Sequence, residues 1–258
     1  MKTIFKVCRM VVLLLLPCFY LQAQEKTIDK KDTLDKKEYK PFVFNLQLKN
    51  MHLWRGYKVT SAALTAVDAH YVTNDGSFQV GFWGGAGFTG EYREFDYYAS
   101  YQKSGFNVAV WDINNFSDFP NANIFNYNPS STSHFIDITV GYQFQQNFPL
   151  SLSWSTIVQG RDTYINSAGV RKNAYSNYVA LDYRLWKQEN ADLHLFVGGA
   201  FAFGRDEHFY GNKPNIVNTG LTFNRDLVVF NYHLPTSATV MFNPEHKYGA
   251  IQLAINVF

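Results

Sequence analysis

Between Phe78 and Trp111 apolar and polar residues alternate with a period of two, and this feature narrows the fold more than any other. Phe78, Val80 and Phe82 alternate with Gln79, Gly81 and Trp83. Past Thr89-Gly90, Phe95, Tyr97, Ala99 and Tyr101 alternate with Glu94, Asp96, Tyr98 and Ser100. Past Lys103-Ser104-Gly105, Phe106, Val108 and Val110 alternate with Asn107, Ala109 and Trp111. Successive side chains of a strand point to opposite faces, so this period means strand, and glycine-bearing turns between the segments mean antiparallel neighbours. One face is apolar and aromatic; the other carries carboxylates, hydroxyls and glycine. A membrane-spanning β-barrel has this pattern, with lipid outside and a polar lumen within. A soluble β-sandwich has it too, and the rest of the chain must separate the two.

The N-terminus points to export. Lys2 and Lys6 precede an apolar run from Val11 to Leu16, and Leu21-Gln22-Ala23 offers a cleavage site. Residues 1–23 thus read as a secretory signal peptide, too short for a transmembrane helix. Both cysteines, Cys8 and Cys18, lie inside it, so the exported chain has none to pair. A lipid anchor on Cys18 is the lesser alternative, because Pro17 stands where a small residue is expected. Removing Lys2, Lys6 and Arg9 from 23 basic residues leaves 20 against 21 acidic ones, a balance of −1. No basic field is left to hold nucleic acid. Residues 24–40 are dense in charge and read as a flexible periplasmic lead, with a solvated helix as the alternative. Later in the chain no apolar run is long enough for a spanning helix. A membrane location therefore requires a closed barrel, which satisfies its own backbone groups.

Strands are expected at Phe42–Tyr57, Ala62–Val72, the three segments above, His134–Gln145, Leu150–Gln159, Tyr175–Trp186, Leu193–Gly204, Asn215–Asn224, Leu227–Phe242 and Tyr248–Phe258. Pro235 should mark a bulge or irregular point. The links alternate in length, except that two outward ones, Thr89-Gly90 and Asn243 to Lys247, are short. Short ones fall at 74–76, 103–105, 147–149, 187–192 and 224–226, and long ones at 114–133, 160–173 and 205–214. A sandwich has no reason for that parity, whereas an outer-membrane barrel has short periplasmic turns and long outer loops. The expected fold is all-β: an antiparallel up-and-down transmembrane β-barrel of about twelve strands over 41–258. The terminal Phe258 adds weak support.

Leu53-Trp54-Arg55-Gly56-Tyr57, then Gly81-Phe82-Trp83, then Glu94-Phe95-Asp96-Tyr97-Tyr98 resemble, in this order, the aromatic-Arg-Gly, Gly-x-Trp and Glu-x-Asp-x-Tyr elements of the Gcw_chp-like family of uncharacterised bacterial outer-membrane barrels. The resemblance covers about Phe42 to Asp112. Ala99 stands where the family commonly has glycine, and Asn256-Val257-Phe258 replaces its usual ending. The resemblance implies a signal peptide and a barrel but no particular activity.

Chemistry must then be sought in the lumen. Lys49, Arg55, Asp68, His70, Glu94, Asp96, Asp112, Asp137, Asp182, Arg184 and His194 fall on or near the polar face. They could select a small polar solute in a narrow pore, or pair with one another in a packed or plugged interior. Arg55 is expected to fork onto a carboxylate such as Glu94 or Asp96, or to meet lipopolysaccharide phosphate at the rim. Ser133-His134 are adjacent, so on a strand they face opposite sides and cannot act as a nucleophile–base pair. No hydrolase motif, nucleotide loop or metal-ligand spacing stands out, so no enzyme activity, cofactor or metal is expected. Asp206, Glu207 and His208 crowd one loop without a second ligand group. The Asn- and aromatic-rich stretch 114–133 suits sugar or peptide contact, or simply a turn-rich loop. The partners expected are outer-membrane lipid and lipopolysaccharide, the barrel-insertion machinery, and a small polar solute. The leading reading is a pore or binding barrel in the Gram-negative outer membrane. A closed envelope-interaction barrel is the alternative, and a lipid-modifying enzyme the least favoured.

Overall fold

The computed structural model describes residues 39–119, 123–144 and 148–257. The expected signal peptide, most of the charged lead and Phe258 lie outside the described residues. The strands are β1 (Phe42–Lys49), β2 (His52–Trp54), β3 (Tyr57–Thr60), β4 (Leu64–Val72), β5 (Phe78–Gly87), β6 (Arg93–Lys103), β7 (Phe106–Asn114) and β8 (His134–Gln143). They continue as β9 (Leu150–Gly160), β10 (Thr163–Ile165), β11 (Arg171–Asn173), β12 (Asn177–Lys187), β13 (Ala191–Phe201), β14 (Asn215–Val229), β15 (Tyr232–Asn243) and β16 (Tyr248–Asn256). Twelve of these close into a barrel in the order β1-β16-β15-β14-β13-β12-β9-β8-β7-β6-β5-β4. The other four form two small hairpins, β2–β3 and β10–β11.

Closure removes the unpaired edges that an open sheet would leave. The seam is short on the strands themselves, with Gln47, Leu48 and Lys49 opposite Asn256, Ile255 and Ala254. Asn50 prolongs it: its backbone N–H donates to the Leu253 carbonyl (3.2 Å), and its side-chain amide donates to the Ile251 carbonyl and accepts from the Leu253 N–H.

Alternation sorts the side chains as the sequence predicts. Val80, Phe82, Val110, Ile138, Val140, Trp154 and Leu253 lie exposed on the outer wall. Asp96, Ser100, Asp137, Thr139, Ser153, Ser155, Asp182 and His194 are buried within. The two ends differ as the loop parity implies. One end carries tight turns, such as Ser104-Gly105 between the paired Lys103 and Phe106, with positive φ at both turn residues. That is the two-residue hairpin turn whose twist matches the flanking strands. At the same end the Asp75 carboxylate accepts from the Thr73 hydroxyl and from the Ser77 N–H and hydroxyl, which hold its pKa down at about 2. Tyr39, at the end of the lead, donates to the Val72 carbonyl (2.6 Å). The long connections all lie at the other end.

Three expectations change. The segment Phe42–Tyr57 is not one strand: it leaves the barrel after Lys49, and His52 to Thr60 folds back on itself as β2–β3. The turn expected at Asn224–Asp226 falls instead at Phe230-Asn231, with φ of 48° and 67°, because β14 runs on to Val229. Pro235 causes no register shift: it pairs with Asp226 in an unbroken ladder. Pairing with β16 stops at Thr236, so Pro235 sits just beyond it on a free edge, where a missing N–H costs no ladder bond. A bulge occurs at Leu185 instead, between the pairs Arg184↔His194 and Trp186↔Leu193, and brings both Leu185 and Trp186 to the exposed surface.

Candidate functional site: the closed bore

The β2–β3 hairpin is the centre of the interior. Trp54 pairs with Tyr57, leaving Arg55-Gly56 as a two-residue turn with φ of 45° and 88°. A turn with positive φ at both central positions normally carries Asn-Gly or Gly-Gly. Here a non-glycine residue occupies the first position, a conformation that persists only when its surroundings over-determine it. The surroundings do so. Arg55 Nη1 and Nη2 fork onto both carboxylate oxygens of Asp137 on β8, at 2.7 and 2.8 Å. Nη2 also donates to the Ser155 hydroxyl on β9 (2.8 Å), and Nη1 to the Tyr210 hydroxyl (2.9 Å). The guanidinium lies over the Trp54 ring at 4.7 Å and the Tyr178 ring at 5.3 Å. The Arg55 and Asp137 side chains are 7% and 1% exposed, so water offers neither an alternative partner.

The hairpin reaches the barrel wall on many sides. His52 stacks on Trp83 of β5, with centroids 5.4 Å apart and planes 24° from parallel. The Gly56 carbonyl accepts from Asn243 Nδ2 (3.0 Å) and from the Tyr248 hydroxyl (2.6 Å). The Leu53 N–H donates to Gln252 Oε1 on β16 (2.9 Å). Gly56 itself lies against β14, where a Cβ would stand 2.1 Å from the Val217 carbonyl oxygen.

The connection after β13 closes over the hairpin. Tyr210, 1% exposed, packs on Trp54, Tyr57 and Tyr178, and the Tyr57 hydroxyl donates to the Phe209 carbonyl. Burial pushes the Tyr210 hydroxyl well above its ordinary pKa, which keeps it neutral beside Arg55. This connection is tied to the one after β9: Asp162 accepts from the Ser176 N–H and hydroxyl, and the Ser176 hydroxyl accepts from the Phe209 N–H. Ile113, Phe135, Ile157, Tyr178, Tyr210 and Val217 together form a hydrophobic core inside the barrel, against which Trp54 and Tyr57 pack.

Gly56→Ala is therefore expected to unseat the hairpin. The left-handed backbone alone costs a non-glycine residue about 1–2 kcal/mol, and the clash with Val217 adds to it. Urea unfolding of the variant should show a midpoint well below that of the parent; an unchanged midpoint would mean the tip is not held as described.

The other sequence-predicted residues divide into groups. Asp68 meets His70 Nδ1 and accepts from the Tyr98 hydroxyl (2.9 Å), with Tyr98 stacked on Trp111 at 4.3 Å. Asp182 and Asp192 flank His194, at 2.5 Å from Nδ1 and 3.3 Å from Nε2, and Asn224 donates to Asp192. Arg184 pairs in register with His194. Glu94 and Asp96 project inward from alternate positions of β6, and Asp96 accepts from the Asn114 N–H (2.9 Å). Lys49 lies over the Trp83 ring at 5.6 Å. These groups lie around the wall rather than in one cluster with Arg55. The expected partners of Arg55, Glu94 or Asp96, are replaced by Asp137, because the turn carries the guanidinium across the bore to β8.

Asp112 is not a lumen residue. It continues the even-numbered outward phase of Val108 and Val110, while Trp111 and Ile113 point inward. On the outer side it meets His134 Nδ1 (2.8 Å) and accepts from the Tyr127 hydroxyl (2.6 Å). That bond pushes the Tyr127 pKa up to about 12. The Ser133 hydroxyl donates to Asn114 Oδ1, away from the His134–Asp112 pair. Among the described residues no group of three metal-ligating side chains comes together.

No family model and no curated protein matches the sequence. Among solved structures the chain is similar to the NanC porin in a rhombohedral crystal form, at a TM-score of 0.47 and 5% identity, covering 83% of this chain and 98% of that one. It is similar also to a structure from work on the in-meso crystallization of membrane proteins, at 0.46 and 8% identity, covering 83% and 82%. A bacterial polysaccharide outer membrane secretin aligns at 0.29 and 7% identity, over 83% and 95%. These values describe a likeness of general shape.

Proposed function

We propose that this chain is an outer-membrane β-barrel whose bore is closed from within by its own β2–β3 hairpin, and that it serves as a sealed envelope barrel rather than a freely conducting pore. Its own surface supports the membrane location. A barrel displaying Phe82, Tyr97, Trp154, Phe223, Phe242 and Leu253 on its outer wall would aggregate in water. Most of the barrel strands have the roughly 9–11 residues that a tilted spanning strand needs. The short turns then face the periplasm and the long connections the exterior. Membership of the Gcw_chp-like group belongs to the same proposal. The Leu53–Tyr57 element that carries the resemblance is the tip and flank of the closing hairpin.

The observation that carries the closed reading is the Arg55–Asp137 fork, which holds the hairpin across the bore. Small movements would not open it, because the hairpin also bonds to β9 and β16 and touches β5 and β14. The second reading, a narrow pore or binding barrel for a small polar solute, draws on the His70 and His194 carboxylate clusters of the inner wall. Single-channel recording in a planar bilayer separates the two. The intact, verified-folded protein should be silent, and discrete steps with an ion preference would replace the closed reading with the pore.

A further inference from the structure

The geometry points to a binding site for the phosphorylated glucosamine headgroup of an outer-leaflet lipid on the outer rim of the barrel, between the β10–β11 hairpin and the turn after β13. A hollow of about 650 Å³ opens there, within the size range of small-ligand sites. Its lining includes Arg171, Lys172 and Arg205 with Tyr164, Tyr175 and Phe203, and no carboxylate. The Arg205 guanidinium lies 4.1 Å from the Tyr164 ring centroid, which sets its plane. Arg205 also pairs with Glu207 at 2.9 Å, but Glu207 is 70% exposed and its pull is screened by water. Arg171 donates to the Thr163 hydroxyl (2.7 Å), and Lys172 pairs across the hairpin with Tyr164.

The hollow is continuous with an apolar surface on the outer wall. Phe203 lines it and contacts Phe201 (5.3 Å) and Trp154 (6.4 Å). Trp154 is 48% exposed, yet its indole N–H is bonded to Asn177 Oδ1 (2.8 Å), so the exposed ring is held in place. Cations above and fixed aromatics below, on one stretch of outer wall, match one kind of ligand. Phosphate would meet the guanidinium and ammonium groups. The sugar would lie on the tyrosines, and the acyl chains would run down Trp154, Phe201 and Phe203.

This inference rests on the outer-membrane reading, since the site faces lipid only if the long connections lie outside. Insertion of the full chain into phosphatidylcholine vesicles, read as a heat-modifiable gel band and protease protection, tests that reading separately. The site itself is tested on folded protein in neutral detergent by native mass spectrometry, with diphosphoryl lipid A, its dephosphorylated form and inorganic phosphate as probes. Diphosphoryl lipid A should be retained, and the dephosphorylated form at least about tenfold less, as expected for loss of charge-assisted bonds. The variant Arg171→Gln/Lys172→Gln/Arg205→Gln should lose the preference, and Lys172→Gln alone, on an exposed strand, should weaken it while keeping the folded band. Equal retention of both lipid forms, or parental binding by both variants, would overturn the site. Inorganic phosphate competing at equal concentration would overturn a lipid as its occupant.

Discussion

Excising residues 50–63 and joining Lys49 to Leu64 through a short Asn-Gly turn is expected to convert a silent barrel into one that conducts in discrete steps. Lys49 and Leu64 are already directly paired, so the two barrel strands can be linked without altering their register. The excision removes His52, Trp54, Arg55 and Tyr57 from the bore and leaves the ladder from β4 round to β16 intact. Tyr210 keeps Tyr178 and Phe209 keeps Phe135, but both lose Trp54 and Tyr57, so the connection after β13 loosens as well. The opened bore has a definite charge. Asp137 loses its cation and joins Glu94, Asp96 and Asp182 on the inner wall, so the pore should prefer cations. Adding Asp137→Asn should shift the reversal potential toward zero across a salt gradient. A folded excision variant that stays silent would mean that the connections at the long-loop end close the barrel without the hairpin.

Breaking the Arg55–Asp137 pair on one side should be the most damaging single substitution in the chain. Asp137→Ala leaves a guanidinium buried at the hairpin tip, and Arg55→Ala leaves a buried carboxylate that has lost its cation and keeps the Thr139 hydroxyl. Loss of one partner from a buried pair costs about 3–5 kcal/mol, mainly because the remaining charge stays uncompensated. The double variant Arg55→Met/Asp137→Leu buries no charge and should recover much of that loss. Urea unfolding of folded protein in lipid vesicles, read by tryptophan fluorescence, compares all four proteins. Single variants within about 1 kcal/mol of the parent would place the pair among ordinary surface bridges and remove it as the lock.

Much of this fold was legible in the sequence because a barrel strand is nearly a local object. Its alternation is set by the period of the backbone, so Asp137, Thr139, Ser153, Asp182 and His194 could be placed inside without knowing any neighbour. The same rule, kept in phase past Val110, also places Asp112 outside; its acidic side chain obscured that. The turn at Ser104-Gly105 was legible for the same local reason. The turn at Phe230-Asn231 was not, because Asn224-Arg225-Asp226 is more turn-like in composition although pairing with β15 keeps it in the ladder.

The closing hairpin marks the boundary of that legibility. Gly56 after Arg55 was a sign of a tight turn, masked by the strand-forming residues Leu53, Trp54, Tyr57 and Val59 on either side of it. Tyr210 and Phe209 gave no sign at all, since nothing local distinguishes an aromatic that folds into a barrel from one that covers its rim. The sequence by itself determined an antiparallel barrel with short turns at one end and long connections at the other. These follow from residue period, turn chemistry and composition, each of which acts within a few residues. Only the tertiary structure decided that Arg55 crosses the bore to Asp137 and that the interior is filled. Both depend on residues 82 positions apart meeting in one low-water space, and no local preference encodes such a meeting.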